Sequence, residues 1–166
     1  MKSLLILALA AIFLIPLASR VIAAPAVEAE PARPTRLLFK GTMHSNETYS
    51  KAFYTQFVTA NGSGEANELG QFTASYQMEA NMLDMSVTES IYFAGANGDS
   101  LQATAVGQAF EDRTPGMFQI IEICTITGGT GRFEGASGTL TMKRLLSIDA
   151  SVASSSFEGY ILLPQK

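Results

Sequence analysis

Residues Gln71 to Ala80 read Gln-Phe-Thr-Ala-Ser-Tyr-Gln-Met-Glu-Ala. Phe72, Ala74, Tyr76, Met78 and Ala80 alternate strictly with polar neighbours. Only an extended strand, whose side chains repeat every second residue, sorts such a run onto one apolar and one wet face. Ser86 to Ala94 repeats the pattern, with Val87, Ile91 and Phe93 on one side. The turn Gly95-Ala96-Asn97-Gly98-Asp99 follows, and Asn-Gly favours a hairpin because both residues tolerate positive φ. Leu101 to Phe110 is expected to pair back, and Thr114-Pro115-Gly116 to turn again. Met117 to Thr127, with Ile120, Ile121, Ile123 and Ile126, has the β-branched content of a central strand. Gly128-Gly129-Thr130-Gly131 is expected to break it, with a short helical turn over Arg132 to Gly135. Thr139 to Ile148 and Ser156 to Leu163 complete the set, and Arg36 to His44 and Phe53 to Ala60 precede it. No stretch carries a sustained helical period with caps. The class is all-β, and eight antiparallel strands close naturally into a small barrel. On patterning alone, a two-sheet sandwich is the alternative.

The start of the chain belongs to something else. Met1-Lys2 gives a positive start, and Ser3 to Ala18 is almost wholly apolar. Pro16 and Arg20 close that run, and Ala24-Pro25-Ala26 forms an Ala-x-Ala site, with Val21-Ile22-Ala23 as a second. This is the pattern of a secretory signal, and the run is short for a membrane span of about 20 apolar residues. The expected organisation is a signal peptide over 1–26, a leader over 27–35 containing Pro31 and Pro34, and one barrel domain over 36–166. The expected location is secreted or periplasmic; a retained N-terminal anchor is the rival reading.

Cleavage after Ala26 removes Lys2 and Arg20 but no acid, so the mature chain is more acidic than the −4 of the whole. That balance argues against nucleic acid or an anionic membrane as partner. Cys124 is the only cysteine, so no internal disulfide forms, and it reads as a small buried hydrophobe in an apolar run. His44 is the only histidine and is expected to be exposed near a strand end. One histidine and one cysteine leave no metal set and no nucleophilic triad, and no cofactor is expected. A homo-oligomer is compatible with the sequence.

The stretch Ile126-Thr127-Gly128-Gly129-Thr130-Gly131-Arg132-Phe133-Glu134-Gly135-Ala136-Ser137-Gly138 resembles the glycine-rich corner of the allene oxide cyclase and dirigent superfamily, which lies between two barrel strands. Gly62 to Thr73 and the turn Ala96 to Leu101 fit bacterial barrel-like relatives of that group. The resemblance covers roughly Arg36 to Leu163. It implies a calycin-like, eight-stranded barrel whose mouth takes a small hydrophobic molecule, which the plant relatives steer to one product. It carries no catalytic residue over to this chain. The corner itself has a physical reading: Gly128, Gly129, Gly131, Gly135 and Gly138 let the chain turn sharply, Gly129 through positive φ, while Phe133 plugs one end. A phosphate loop would need a Lys-Ser/Thr ending and a following helix, which are missing.

Two carboxylates are the candidates for chemistry. Glu89 shares the face of Val87, Ile91 and Phe93, and Glu122 sits between Ile121 and Ile123. A carboxylate held in an apolar barrel has a raised pKa and can donate a proton. Each glutamate can instead face solvent or pair with Arg144 or Lys143. Phe39, Met43, Phe72, Tyr76, Met78, Ile91 and Phe157 are the candidates for lining the interior, as ligand contacts or simply as core. Tyr76, Tyr92 and Tyr160 fall in strands, where a buried hydroxyl needs a partner. Asn46-Glu47-Thr48 and Asn61-Gly62-Ser63 match the glycosylation pattern, which matters only in a eukaryotic export route. Two functions remain open: a barrel that binds, and in doing so cyclises or isomerises, a small hydrophobic molecule, or a filled, non-catalytic module of the cell envelope.

Overall fold

In the computed structural model, which describes residues 33–165, the alternation closes on itself. Eight strands follow in chain order: β1 (Thr35–Ala52), β2 (Thr55–Ala66), β3 (Gly70–Asn81), β4 (Ser86–Gly95), β5 (Ser100–Glu111), β6 (Met117–Thr130), β7 (Ser137–Ser147) and β8 (Val152–Leu163). Each pairs antiparallel with the next, and β8 returns to β1 from Thr35↔Leu163 to Asn46↔Val152, so the sheet is a closed barrel. Among the described residues the one helical turn is a 3-10 turn at Gly131–Phe133, starting one residue earlier than expected. The expected signal segment and most of the expected leader lie outside the described residues.

The strand set agrees with the sequence expectation, but several boundaries do not: β2 ends at Ala66 rather than Ala60, β8 starts at Val152 rather than Ser156, and three others have a local reason. β1 continues eight residues past His44, so His44 sits within a strand rather than near its end. Phe53 does not start β2: it takes φ 54° in the turn and is 94% exposed. β6 runs through the double glycine to Thr130, because a bulge opposite Gln102 and Ala103 absorbs Thr127 and lets pairing resume at Gly128.

The barrel has two unlike ends. The connections β2–β3, β4–β5 and β6–β7 gather at the corner end, and the other four connections form the turn end. Phe133 is fully buried at the corner end, its carbonyl accepting from the Ala136 N–H. Asp99 ties the corner loops together: its Oδ1 accepts from the Arg132 backbone N–H (3.1 Å), and its Oδ2 from Arg132 Nε (2.9 Å) and Asn97 Nδ2 (2.8 Å). Those donors, led by the backbone amide, hold its carboxyl below the usual range. Arg132 also donates to the carbonyl of Glu68.

Interior space is shared unequally among the strands. Phe39, Phe72, Phe93 and Phe157 interlock with ring centroids 5.1 to 6.4 Å apart. Small residues make room for larger ones. A Cβ on Gly64 would fall 2.8 Å from Phe72 Cζ, and one on Gly107 would fall 2.7 Å from Glu122 Cγ. The vacancy at Gly107 is therefore what lets the Glu122 side chain cross the interior.

Candidate functional site

Above the phenylalanines, toward the turn end, the interior turns polar. Arg144 on β7 is fully enclosed, and its Nη2 donates to both Glu89 oxygens at 2.8 Å. The same nitrogen lies 3.3 Å from Glu122 Oε2, and Nη1 lies 4.0 Å from Glu47 Oε1. The guanidinium stacks 4.3 Å from the centroid of the Tyr76 ring and leans on the sulfurs of Met78 and Met142. Glu47 in turn accepts from Tyr49 Oη at 2.5 Å and from Tyr76 Oη, which itself accepts from Ser45 Oγ at 2.8 Å. Hydrogen bonds thus run inward from half-buried Tyr49, near the turn end, to Glu47, whose Oε1 stands 4.0 Å from the guanidinium.

Three carboxylates face one cation in a low-dielectric interior. Burial, with Glu122 adding to it and Arg144 opposing it, pushes Glu89 well above the usual carboxylate range. Burial works against the charge on Arg144, but Glu89 and Glu122 more than offset it. Neither Glu122 oxygen accepts a hydrogen bond among the described residues, although Arg144 Nη2 lies 3.3 Å from Oε2. Both Glu122 oxygens, Arg144 Nε and Ser155 Oγ are buried without a hydrogen-bond partner among the described residues.

A proton held by Glu89 has a measurable consequence. Folded protein keeps it, whereas unfolded chain releases it above about pH 4.3. Folding therefore takes up a proton, and this group's contribution to stability falls as pH rises from there until its folded pKa is passed. Glu89→Gln is expected to flatten that part of the pH–stability curve, read from urea midpoints at a series of pH values. An unchanged slope would mean that Glu89 is ionised in the fold.

Glu89 and Glu122 both point inward, at 4% and 0% exposure, and the alternative of pairing with Arg144 is realised. Lys143 is exposed. The seven residues expected to line the interior all lie there, at 0–4% exposure. Tyr92 instead faces out, and Tyr160 stacks under Arg36 at 4.2 Å. His44 is exposed, with Nδ1 3.0 Å from Ser154 Oγ. Cys124 is enclosed, and burial first, then Glu122 and Glu89, raises its thiol pKa, which removes it as a nucleophile. The sequence reading missed Glu47, Tyr49 and Ser45. Their signal was parity: they continue the inward series Phe39, Gly41, Met43.

Gly129 is a correction. It takes no positive φ, unlike Gly131 (63°), Gly135 (71°) and Gly138 (145°). It is glycine because a Cβ would meet the Ser100 carbonyl oxygen at 2.3 Å and Phe133 Cβ at 2.8 Å.

Depressions of about 440 to 740 Å³ over the described residues are open grooves, and neither Glu89 nor Glu122 lines these.

No family model matches this chain, and no curated protein does. Solved structures do. The pterocarpan synthase dirigent protein GePTS1 superposes with TM-score 0.63 at 12% identity, covering 89% of this chain and 100% of its own. The pterocarpan synthase dirigent protein PsPTS1 gives 0.59 at 13%, covering 83% and 100%. At such identity the likeness speaks for architecture, and it agrees with the corner motif and the closed topology: this chain has the eight-stranded barrel fold of the dirigent proteins.

Proposed function

We propose that the barrel binds a small, mostly apolar molecule carrying one or two oxygens at its turn end, over the Arg144 cluster. The observation that carries this reading is the set of buried polar atoms left over around Arg144. Both Glu122 oxygens, Arg144 Nε and Ser155 Oγ all want a partner, and Arg144 and Ser155 are directly opposed across β7 and β8. An unsatisfied buried polar atom costs about 1–3 kcal/mol, so a ligand or waters that satisfy these atoms are favoured. The way in is the turn end, where Tyr49, Met85 and Phe118 are half-buried and Leu83 and Phe110 are exposed. The chemistry such a site supplies is proton donation from Glu89 to a ligand oxygen, with Arg144 steadying negative charge. That suits a cyclisation or isomerisation under acid catalysis; no nucleophile accompanies it.

The test is a thermal-shift and fluorescence-displacement screen with long-chain epoxides, fatty acids and apolar phenols. A ligand present at about 100 times its Kd should add roughly 2.7 kcal/mol of stability. The gain should shrink in Glu122→Gln. If no compound of these classes shifts the protein, the ligand reading fails.

A second reading has its own observation. The interior candidates are closely packed, and Val106 and Ile123, opposed across β5 and β6, are 62% and 48% exposed on the outer wall. A filled barrel that assembles through this wall would be an envelope module. Sedimentation velocity separates the two, since assembly should weaken in Val106→Lys.

We also propose export, supported by the charged start, the apolar run and the Ala-x-Ala site. N-terminal sequencing of extracytoplasmic protein is expected to begin between Ala24 and Val27. Full-length chain in the cytosol would refute it.

A further inference from the structure

The outer wall is chemically varied, and two neighbouring rows of it hold no charge, with Lys51 and Glu79 exposed at their turn-end border. Following the register from β1 to β6, one row reads Thr48, Thr59, Gln77, Ser90, Thr104 and Thr125, each directly opposite the next. The row beside it reads Asn46, Asn61, Ser75, Tyr92 and Gln102. All eleven side chains are exposed. None makes a side-chain hydrogen bond within the described residues, although hydroxyls elsewhere on the molecule do, as in Ser100–Thr130 and His44–Ser154. Strands about 4.8 Å apart spread these rows over roughly 24 Å. An open depression of about 540 Å³ lies over their middle, with Tyr92 in its lining. The opposite half of the wall carries Ile121, Ile123, Lys143 and Leu145 instead.

We infer that this band binds a neutral polysaccharide chain. A run of hydroxyl and amide groups, each free to donate and accept, matches a polymer that presents hydroxyls at regular intervals. Tyr92, 42% exposed, supplies the ring on which the C–H face of a sugar stacks. Charge decides between classes of partner. An anionic polymer would need Lys or Arg among these rows and a basic protein would need Asp or Glu, and the two rows hold neither. The site is on the outside of the barrel and does not depend on any interior ligand.

The test is native affinity electrophoresis of the described barrel domain in gels holding hydroxyethyl cellulose, xylan, glycol chitin or dextran, with polygalacturonate as an anionic control. At least one neutral polymer is expected to retard the protein and polygalacturonate is not. Tyr92→Ala should weaken the retardation about tenfold, and Gln77→Glu should also weaken it. Both are surface changes, and circular dichroism checks that the fold is kept. The inference is overturned if no neutral polymer retards the protein, if polygalacturonate retards it as much, or if both variants bind like the parent.

Discussion

Arg144→Ala is expected to cost about 3–5 kcal/mol of stability, because it strands buried carboxylates without their cation. The guanidinium is the only positive charge among Glu47, Glu89 and Glu122, and its Nη2 alone makes both close contacts to Glu89. Urea unfolding followed by circular dichroism at neutral pH measures the loss. Removing the charges together is a different experiment. Arg144→Met combined with Glu89→Gln and Glu122→Gln should recover much of the loss, since a neutral interior has no ion left unpaired. A loss of under about 1 kcal/mol in Arg144→Ala would show that the cluster behaves like an exposed ion pair, with water reaching the carboxylates.

Gly129→Val is expected to leave little folded protein. The new Cβ would sit 2.3 Å from the Ser100 carbonyl oxygen and 2.9 Å from the Phe133 carbonyl oxygen. Both obstacles are backbone, in the bulged ladder that joins β5 to β6 and in the turn that carries the buried Phe133 plug, so no side-chain rotation relieves the clash. Ordinary overpacking costs about 1–3 kcal/mol, and this site should reach or exceed the upper figure. Gly98→Ala is the matched control. Gly98 has φ 90° with nothing within 4 Å of a built Cβ, so only backbone strain of about 1–2 kcal/mol is paid. Soluble yield and urea midpoints of the two variants compare a steric requirement with a conformational one. Equal effects would mean that the corner is held by φ after all.

The strands were legible because their inward positions are mostly apolar, and legibility failed where they are not. On hydrophobic pattern β1 stops at His44, because its next inward residues are Ser45 and Glu47, which such a pattern does not register. The same polarity hid the first residues of β8, where Ser155 faces in. Glu47 looked like the middle of a glycosylation pattern, yet it is one of the groups that gather on Arg144. Glu89 and Glu122 could be read from the apolar company they keep, but not the direction in which either points, which depends on register across strands far apart in sequence. Gly129 was singled out for its place in the motif, and only the neighbouring strand reveals that its reason is steric.

The closing pair of strands bears on the barrel as a topological object. Thr35 stands directly opposite Leu163, so the two ends of the wall meet across one ladder step, at the end that already carries three short connections. A few-residue linker between these positions would supply the fourth and make the polypeptide a continuous ring. A circular permutant reopened at the β3–β4 turn, near exposed Leu83, would then contain every native strand pair of the parent, with the β1–β8 ladder converted from the longest-range contact in the sequence to a local hairpin. Such a permutant should keep the parent's stability and change its folding rate, since relocating the chain break alters which loops must close first and leaves the finished wall the same.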